Sequence, residues 1–189
     1  MTAHQAALEA LTRYFGYDSF RPGQQGIVEA LLAGRDVLGV MPTGAGKSVC
    51  YQIPAALSPG MTLVISPLIS LMRDQVDALN DLGLPAAFIN TTQTPDEQAM
   101  VFAQAAAGQI KLLYVAPERL ETGRFRDFAA RTPISLIAVD EAHCVSQWGQ
   151  DFRSSYLGIG DFIAGLPQRP PVGAFTATAT ERVLSLIHI

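Results

Sequence analysis

The stretch Asp36–Ser48 reads DVLGVMPTGAGKS and decides the fold of this chain. Residues Asp36 to Met41 form a short apolar run with β-branched side chains, which is typical of a buried parallel strand. The segment Pro42 to Gly46 breaks that run, and Lys47-Ser48 opens what should be a helix. A strand, a glycine loop and a helix start predict a cradle for phosphate, because loop N–H groups and the positive helix end face the anion.

Each residue of this phosphate loop has an expected part in binding a nucleotide. Gly44 and Gly46 leave room for the phosphates and can adopt positive φ angles. Lys47 would reach the β- and γ-phosphates, and the Ser48 hydroxyl would ligate Mg²⁺. The strict pattern begins with glycine where this sequence has Met41, so an exposed lysine in a tight β–α turn is the alternative. The predicted nucleotide-binding residues of the loop are Thr43, Gly44, Ala45, Gly46, Lys47 and Ser48.

The composition favours one well-packed domain. A chain of 189 residues with 49% hydrophobic residues can bury a sizeable core without a disulfide or a metal. A stand-alone nucleic-acid binder is usually basic, so at a formal net charge of −4 any such contact must be local or shared with a part outside this sequence. Cys50 and Cys144 show no zinc or disulfide spacing and are expected to be small buried hydrophobes. Without a secretory signal or a long apolar run, the expected location is the cytoplasm.

Hydrophobic patterning predicts strands that alternate with helices. The predicted strands are Asp36–Met41, Thr62–Ile65, Ala86–Ile89, Ile110–Val115, Ile134–Val139 and Pro171–Phe175. The predicted helices are Ala3–Tyr14, a second with Pro22 in its first turn that runs to Leu32, a third from Lys47, Ile69–Leu82, and one from the capping box at Thr94 to Ala107. This alternation predicts an α/β fold with a parallel sheet covered on both faces, whose ligands bind at the carboxyl ends of the strands.

An acidic pair follows the fifth predicted strand. Asp140 would hold Mg²⁺ directly or through water, and Glu141 would orient and deprotonate the attacking water. His143 has no second metal ligand at the usual spacing, so a polar relay suits it better than a metal site. An acidic helix cap at a strand-to-helix turn is the alternative for one carboxylate, and the loop around Lys47 makes it the weaker one.

Five motifs together resemble a known family. MPTGAGKS, SPLISLMRDQV, YVAPERL, DEAHCVSQWG and TATAT occur in this order and resemble the first motor domain of a superfamily 2 DNA helicase of the RecQ family. The resemblance implies a P-loop NTPase of the RecA-like type, a three-layer sandwich with a mostly parallel sheet, over residues 1–180. It also implies ATP and Mg²⁺ as cofactors and a 3′–5′ DNA helicase of repair and recombination. Residues 181–189 do not continue the pattern and form a truncated or atypical tail.

The segment GYDSFRPGQ resembles the family's adenine-reading element, placed here within residues 14–25. Gln24 can pair with the N6/N7 edge of adenine in the usual amide geometry. Tyr17 would stack on the ring, and Arg21 would support the base or a phosphate. The alternative is that Tyr17 and Phe20 pack in the core and that Gln24 lies on a helix surface.

The block after the acidic pair resembles the family's aromatic-rich loop, which couples DNA binding to hydrolysis. Aromatic and arginine side chains can stack on unpaired bases, although Trp148 and Phe152 could also pack a helix against the sheet. Gln150 stands where the family usually has histidine, and glutamine cannot titrate. The predicted coupling residues of this block are Ser146, Gln147, Trp148, Phe152 and Arg153.

Further strand ends match segments that grip DNA in this family. Ser66, Pro67 and Arg119 suit phosphate contacts, which position DNA without reading its sequence. A helix cap at Ser66 and a surface ion pair at Arg119 are the alternatives. Thr176 and Thr178 would link the nucleotide site to the DNA path through their hydroxyl groups.

The resemblance leaves part of the motor unaccounted for. A second motor domain would supply an arginine finger, so this chain alone is expected to bind nucleotide weakly, hydrolyse little and not unwind DNA. The expected partner is DNA at a single-strand to duplex junction, and no membrane is expected. Alternatives are a P-loop NTPase that does not act on nucleic acid, a non-enzymatic DNA-binding module and an α/β domain without a site. The interpretation as a helicase motor domain requires that Lys47 faces Asp140 and Glu141.

Overall fold

A computed structural model of this protein describes residues 2–145 and 154–178, and it shows one six-stranded sheet. The strands are β1 (Val37–Val40), β2 (Met61–Ile65), β3 (Ala86–Ile89), β4 (Leu112–Val115), β5 (Ile134–Val139) and β6 (Val172–Thr176). The helices are α1 (Ala3–Phe15), α2 (Gln24–Leu32), α3 (Val49–Leu57), α4 (Ile69–Asp81), α5 (Pro95–Ala106), α6 (Gly123–Arg131) and α7 (Ile159–Ala164). Short 3-10 helices span Pro117–Glu121, Ala142–Val145 and Ser154–Tyr156.

The strand order places the predicted motifs beside one another. The order is β1-β6-β5-β2-β4-β3, and every neighbouring pair is parallel. Val40 at the end of β1 pairs with Thr176, and Ala174 of β6 pairs with Val139 at the end of β5. Because all the strands run the same way, the loops after β1, β5 and β6 leave the sheet at one edge, which we call the carboxyl edge. The opposite edge is the amino edge.

Helices cover both faces of the sheet, because successive side chains of each strand enter different cores. Leu63 and Ile65 of β2 lie in one buried cluster with residues of α5, α6 and α7. Val64, between them, lies in a second cluster with residues of α2, α3 and α4. A third cluster packs α1 against α2 and α3. The predicted α/β sandwich with a parallel sheet is therefore present.

Two glycines leave room for an aromatic ring on the sheet near the phosphate loop. A Cβ at Gly39 of β1 would lie 2.8 Å from Phe175 Cδ1, and a Cβ at Gly173 of β6 would lie 2.8 Å from its Cε2. The ring of Phe175 also contacts Tyr51 of α3, with 5.4 Å between ring centroids. Only glycine permits this approach, so these positions help to seat the helix that follows the phosphate loop.

Local signals place some helix ends better than others. The capping box predicted at Thr94 is present, with Glu97 Oε2 accepting from the Thr94 N–H at 2.7 Å and Pro95 at the first helical position. The prediction of Pro22 inside the first turn of α2 is wrong. Gly23 has a φ of 86°, which no helical turn accommodates, and so α2 begins at Gln24 after the proline.

Two helices were not anticipated from the sequence. The helix α6 starts at a glycine, although the Thr122 hydroxyl accepts from the Phe125 N–H at 3.4 Å and Phe125 and Ala129 are spaced for one buried face. The helix α7 has only six residues and glycines at both ends, so it has almost no periodic signal. None of the helices in the described part of the chain has the length and apolarity that crossing a membrane requires.

Candidate nucleotide-binding site

The phosphate loop leaves β1 at the carboxyl edge in the conformation that its glycines allow. Gly44 and Gly46 have φ angles of 80° and 81°, in the left-handed region. Ser48 is the N-cap of α3, so its hydroxyl stands at the positive end of that helix. Met41, which replaces the glycine of the strict pattern, is buried, and the Cys50 thiol lies 3.7 Å from its sulfur. A side chain at this position therefore serves the core and leaves the turn intact.

Asp140 is a buried acid whose charge the described chain compensates only in part. It is 8% exposed, and burial together with the Glu141 charge raises its pKa to about 6. The Glu141 backbone N–H, the Lys47 ammonium and His143 lower that pKa without cancelling the effect of burial. Lys47 Nζ also donates to the Met41 carbonyl oxygen at 3.3 Å, which holds the ammonium group at the end of β1.

Glu141 and His143 form a hydrogen-bonded relay toward β6. His143 Nδ1 lies 3.2 Å from Glu141 Oε2 and 3.1 Å from Thr176 Oγ1. The Thr176 hydroxyl donates its proton to the Thr178 carbonyl oxygen at 2.8 Å and accepts from the Thr178 N–H at 3.2 Å. His143 Nδ1 therefore lies within hydrogen-bond distance of both Glu141 and Thr176, and the direction of each bond is set by the His143 tautomer.

The adenine-reading element lies directly against the phosphate loop. Gln24 is 3% exposed, and its Nε2 donates to the Gly46 carbonyl oxygen at 3.0 Å and to that of Ala45 at 3.3 Å. Its Oε1 accepts from the Arg21 N–H at 2.8 Å. Arg21 Nη1 donates to the Gly44 carbonyl oxygen at 3.0 Å. Both side chains therefore hold carbonyl groups of the phosphate loop in place.

The alternative for this element was wrong in two respects. Tyr17 is 49% exposed, so its ring is not a core residue and is available for stacking. Gln24 is buried and is not a helix surface residue. To read adenine, Gln24 would have to exchange at least one of its present hydrogen bonds for one to the base.

The strand-end residues predicted to contact DNA are not laid out on an open surface. Ser66 is 2% exposed, and Pro67 is also buried. Ser66 does not cap α4, whose N-cap is Leu68. Arg119 Nη2 donates to the Asn90 carbonyl oxygen at 3.1 Å at the end of β3, and its Nε is buried without a hydrogen bond among the described residues. Neither alternative, a helix cap or a surface ion pair, describes these two positions.

Several predicted residues lie outside the described residues. These are Ser146, Gln147, Trp148, Gln150, Phe152 and Arg153, together with the tail at 181–189. Thr178 is described and exposed, and its backbone N–H and carbonyl oxygen both bond to the Thr176 hydroxyl. The relation of the aromatic block to the acidic pair therefore stays a prediction.

Sequence reasoning missed two residues that the fold brings to this edge. Asn90 follows β3, and its carbonyl oxygen accepts from Arg119 and also from Gln98 Nε2 at 3.2 Å. The feature of the sequence that could have indicated Asn90 is a polar residue directly after a strand. Tyr156 donates to the Asp140 carbonyl oxygen at 2.9 Å, and no local pattern distinguishes it from a core tyrosine.

A large open cleft lies at the amino edge, away from these residues. It has a volume of about 930 Å³, and Met61, Lys111, Pro133 and Pro171 are among the residues that line it. It contains none of the predicted site residues. The chemistry of the side chains, and not the size of a cavity, therefore locates the candidate site.

Comparison with known proteins identifies the class of protein to which this chain belongs. The chain belongs to the DEAD/DEAH box helicase family, whose model matches residues 21–186.

Curated relatives show which members of this family the chain resembles. The chain is 51% identical over 173 residues to the ATP-dependent DNA helicase RecQ of Haemophilus influenzae, a match that covers 92% of this chain and 28% of that protein. It is 47% identical over 178 residues to the ATP-dependent DNA helicase RecQ of Bacillus subtilis, covering 94% and 30% respectively. These matches confirm the resemblance to the RecQ family, and the chain spans less than a third of either relative.

Solved structures confirm the RecA-like α/β fold. The chain superposes on Mss116p bound to single-stranded RNA and AMP-PNP with a TM-score of 0.74 at 17% identity, covering 96% of this chain and 40% of that one. A hypothetical ATP-dependent RNA helicase from Sulfolobus tokodaii gives a TM-score of 0.72 at 21% identity, covering 97% and 53%. At such low identities these two likenesses bear on the fold alone.

Proposed function

We propose that this chain is the ATP-binding motor domain of a DNA helicase, which couples ATP hydrolysis to movement along single-stranded DNA. The observation that carries the proposal is the meeting of the phosphate loop with a buried acid at the carboxyl edge. Lys47 acts electrostatically on Asp140, although the two residues are far apart in the sequence and belong to the loops after β1 and β5. A cation that lowers the pKa of a desolvated carboxylate at the same edge of the sheet suits a metal-bound triphosphate.

The residues of this edge fit ATP and Mg²⁺ by their chemistry. Ser48 offers a hydroxyl at a helix start, and Asp140 offers a carboxylate that burial destabilises until a cation neutralises it. These are the ligands that Mg²⁺ prefers, and Mg²⁺ would neutralise charge on the phosphates. Gly46 leaves no Cβ in the loop, where a Cβ would lie 2.6 Å from Gln24 Nε2.

The remaining polar residues suit the hydrolytic step. Glu141 would accept the proton of the attacking water, and the His143 hydrogen bond at 3.2 Å would hold its carboxylate in place. Lys47 would bind the phosphates and stabilise the charge that develops on them. Through His143 and Thr176 the acid is connected to β6 and to the loop that follows it. In this proposal that connection links hydrolysis to the DNA path.

The DNA side of the proposal depends on the relatives and on sequence resemblance. The named relatives are DNA helicases, and the family resemblance implies 3′–5′ movement in repair and recombination. Because the chain covers 28% of the Haemophilus protein, we infer that a second motor domain completes the ATP site and supplies its arginine finger. This chain alone should therefore hydrolyse ATP slowly and not separate strands.

The two lysines of the sequence, Lys47 and Lys111, provide a matched test. Lys111 lies at the amino edge, where its Nζ donates to the Ser58 carbonyl oxygen at 2.6 Å. We expect Lys47→Ala to weaken binding of Mg-ATP to this chain by about 10- to 100-fold, as the loss of a charged hydrogen bond predicts. Titration calorimetry with Lys111→Ala should give an affinity within about twofold of the wild type. Equal affinities for the two variants would exclude the proposed site.

The alternatives are separated by hydrolysis rates of the complete gene product. A DNA helicase motor should hydrolyse ATP faster when single-stranded DNA is added, and Lys47→Ala should abolish that stimulation. A P-loop NTPase that does not act on nucleic acid would show no stimulation. A non-enzymatic DNA-binding module would bind DNA equally well after Lys47→Ala and without nucleotide.

A further inference from the structure

Glu141 has a strained backbone at the centre of the candidate site. Among the described residues it is the one non-glycine residue with a positive φ, at 49°. A side chain in this left-handed region costs on the order of 1 kcal/mol, and such strain persists only where the surroundings enforce it. The contacts around the peptide that precedes Glu141 therefore show what enforces it.

The peptide between Asp140 and Glu141 is held at both of its polar ends. Its N–H, which belongs to Glu141, donates to Asp140 Oδ1 at 3.0 Å. Its carbonyl oxygen, which belongs to Asp140, accepts from the Tyr156 hydroxyl at 2.9 Å. Rotation of this peptide would change the φ of Glu141 and break both bonds. The Tyr156 hydroxyl is the contact that comes from outside the acidic motif.

Tyr156 is itself firmly placed by the fold. Its side chain is 2% exposed and lies in the same buried cluster as Ile159 and Phe162 of α7. The preceding residue, Ser155, donates its hydroxyl proton to Glu118 Oε1 at 3.2 Å. The pair at 155–156 therefore contacts both the end of β5 and the 3-10 helix that follows β4. This anchoring makes Tyr156 a rigid support for the Asp140 carbonyl group.

We propose that Tyr156 is a positioning residue for hydrolysis, which holds the Asp140–Glu141 peptide so that Asp140 faces Lys47 and Glu141 faces His143. The proposal rests on the proposed function of this site. Tyr156 acts on the acidic pair through its backbone, because its hydroxyl donates to the Asp140 carbonyl oxygen and the residue is 2% exposed. Its loss should therefore affect the rate of the chemical step more than nucleotide binding.

The test is Tyr156→Phe in the complete gene product, which removes the hydroxyl and keeps the ring. We expect kcat for ATP hydrolysis to fall about tenfold, with KM for Mg-ATP within about twofold of the wild type. Tyr114→Phe is the matched control, because the buried Tyr114 hydroxyl on β4 accepts from Gln52 Nε2 at 3.4 Å. It should lower the thermal midpoint by a similar amount and leave kcat unchanged.

A second measurement does not depend on activity. Hydrogen exchange of the Glu141 amide, followed in this 189-residue chain, should accelerate in Tyr156→Phe and not in Tyr114→Phe. Unchanged kcat and unchanged exchange in Tyr156→Phe would overturn the proposal, and so would equal effects of the two variants. Failure of the proposed function itself has a different signature, in which Lys47→Ala retains hydrolysis whatever Tyr156→Phe does.

Discussion

Asp36 and Asp140 stand at opposite edges of one sheet, and their surroundings shift their pKa values in opposite directions. Partial burial raises the pKa of Asp36, but hydrogen bonds from Arg169 and the Val172 N–H more than offset it, so that its pKa lies below the usual value. Arg169 reaches it at 2.7 Å. For Asp140, burial and the Glu141 charge dominate, and the pKa rises to about 6.

This difference distinguishes a charge that stabilises the fold, that of Asp36, from a charge that is kept for a ligand, that of Asp140. At the amino edge the chain supplies its own counterion, and Asp36 ties β1 to the start of β6 through Val172. At the carboxyl edge the described residues do not offset the burial of Asp140, and the next residue has a strained conformation. Functional sites often retain such locally unfavourable arrangements because the ligand completes them.

The largest expected effect comes from neutralising the two aspartates in metal-free buffer. A pKa near 6, against about 4 in the unfolded chain, means that ionised Asp140 costs roughly 3 kcal/mol at most. Asp140→Asn should therefore raise the free energy of unfolding at pH 8 by about 1–3 kcal/mol. Asp36→Asn should lower it by about 0.5–1 kcal/mol, since its ion pair is partly exposed. Urea unfolding measures both values.

The pH dependence provides the control for this pair. The folded protein holds the Asp140 proton more tightly than the unfolded chain, so its contribution to stability is present below about pH 4 and is lost as the pH rises through about 6. The difference between Asp140→Asn and the wild type should thus be small near pH 4 and reach its full size above pH 7. A difference that is constant across this range would contradict the burial of an ionised carboxylate.

A smaller effect is expected from adding a methyl group to a glycine at each edge. Gly46 has a φ of 81°, and its Cβ would lie 2.6 Å from Gln24 Nε2. Gly34, after α2 at the amino edge, has a φ of 75° with no heavy atom within 4 Å of its Cβ. Gly34→Ala should cost about 1 kcal/mol of unfolding free energy from backbone strain alone, whereas Gly46→Ala should cost about 2.

The same glycine pair also separates stability from binding. Gly46→Ala displaces the Gln24 amide from the loop, so it should also weaken Mg-ATP binding, and Gly34→Ala should not. Equal costs in unfolding free energy for the two variants would show that the Gln24 side chain moves aside at little cost and does not hold the phosphate loop.

The last comparison concerns the two adjacent glutamines of α2 and includes the smallest expected effect, that of Gln25→Ala. Gln24→Ala removes a buried amide that binds two loop carbonyl groups and should cost about 1–2 kcal/mol, with weaker Mg-ATP binding. Gln25 is exposed and donates to Glu29 Oε1 at 2.9 Å, so Gln25→Ala should change stability by less than about 0.5 kcal/mol. Thermal unfolding and nucleotide titration of both variants would check this. The same affinity in both would remove Gln24 from the site.

Local sequence signals predicted most of the fold. The strands Ala86–Ile89 and Ile134–Val139 have the predicted bounds, and the capping box at Thr94 starts α5 where expected. These features succeed because apolar runs, caps and glycine breaks act over a few residues. The helix α7 escaped notice because six residues between glycines are too few for a periodic pattern.

Contacts between distant segments account for what was missed at the site. That Gln24 is held by the phosphate loop, and that Arg119 binds the Asn90 carbonyl group, depends on loops from different strands meeting. Ser66 was expected to face DNA, but the sheet buries it. The composition and spacing of one segment do not show which other segment it contacts. The surroundings of these residues could therefore be known only from the order of the strands in the sheet.

The sequence by itself determined the parts of this protein: a strand, a glycine loop and a helix start around Lys47, an apolar strand that ends in Asp140-Glu141, and their place in the RecQ-like order of motifs. Only the tertiary structure decided how the parts bear on one another. The sheet order sets the loops after β1 and β5 at one edge, strains Glu141, and brings Tyr156 behind the acid. The physical reason is that backbone preference and patterning act locally, whereas burial, charge compensation and strain arise from neighbours that only the packed sheet provides.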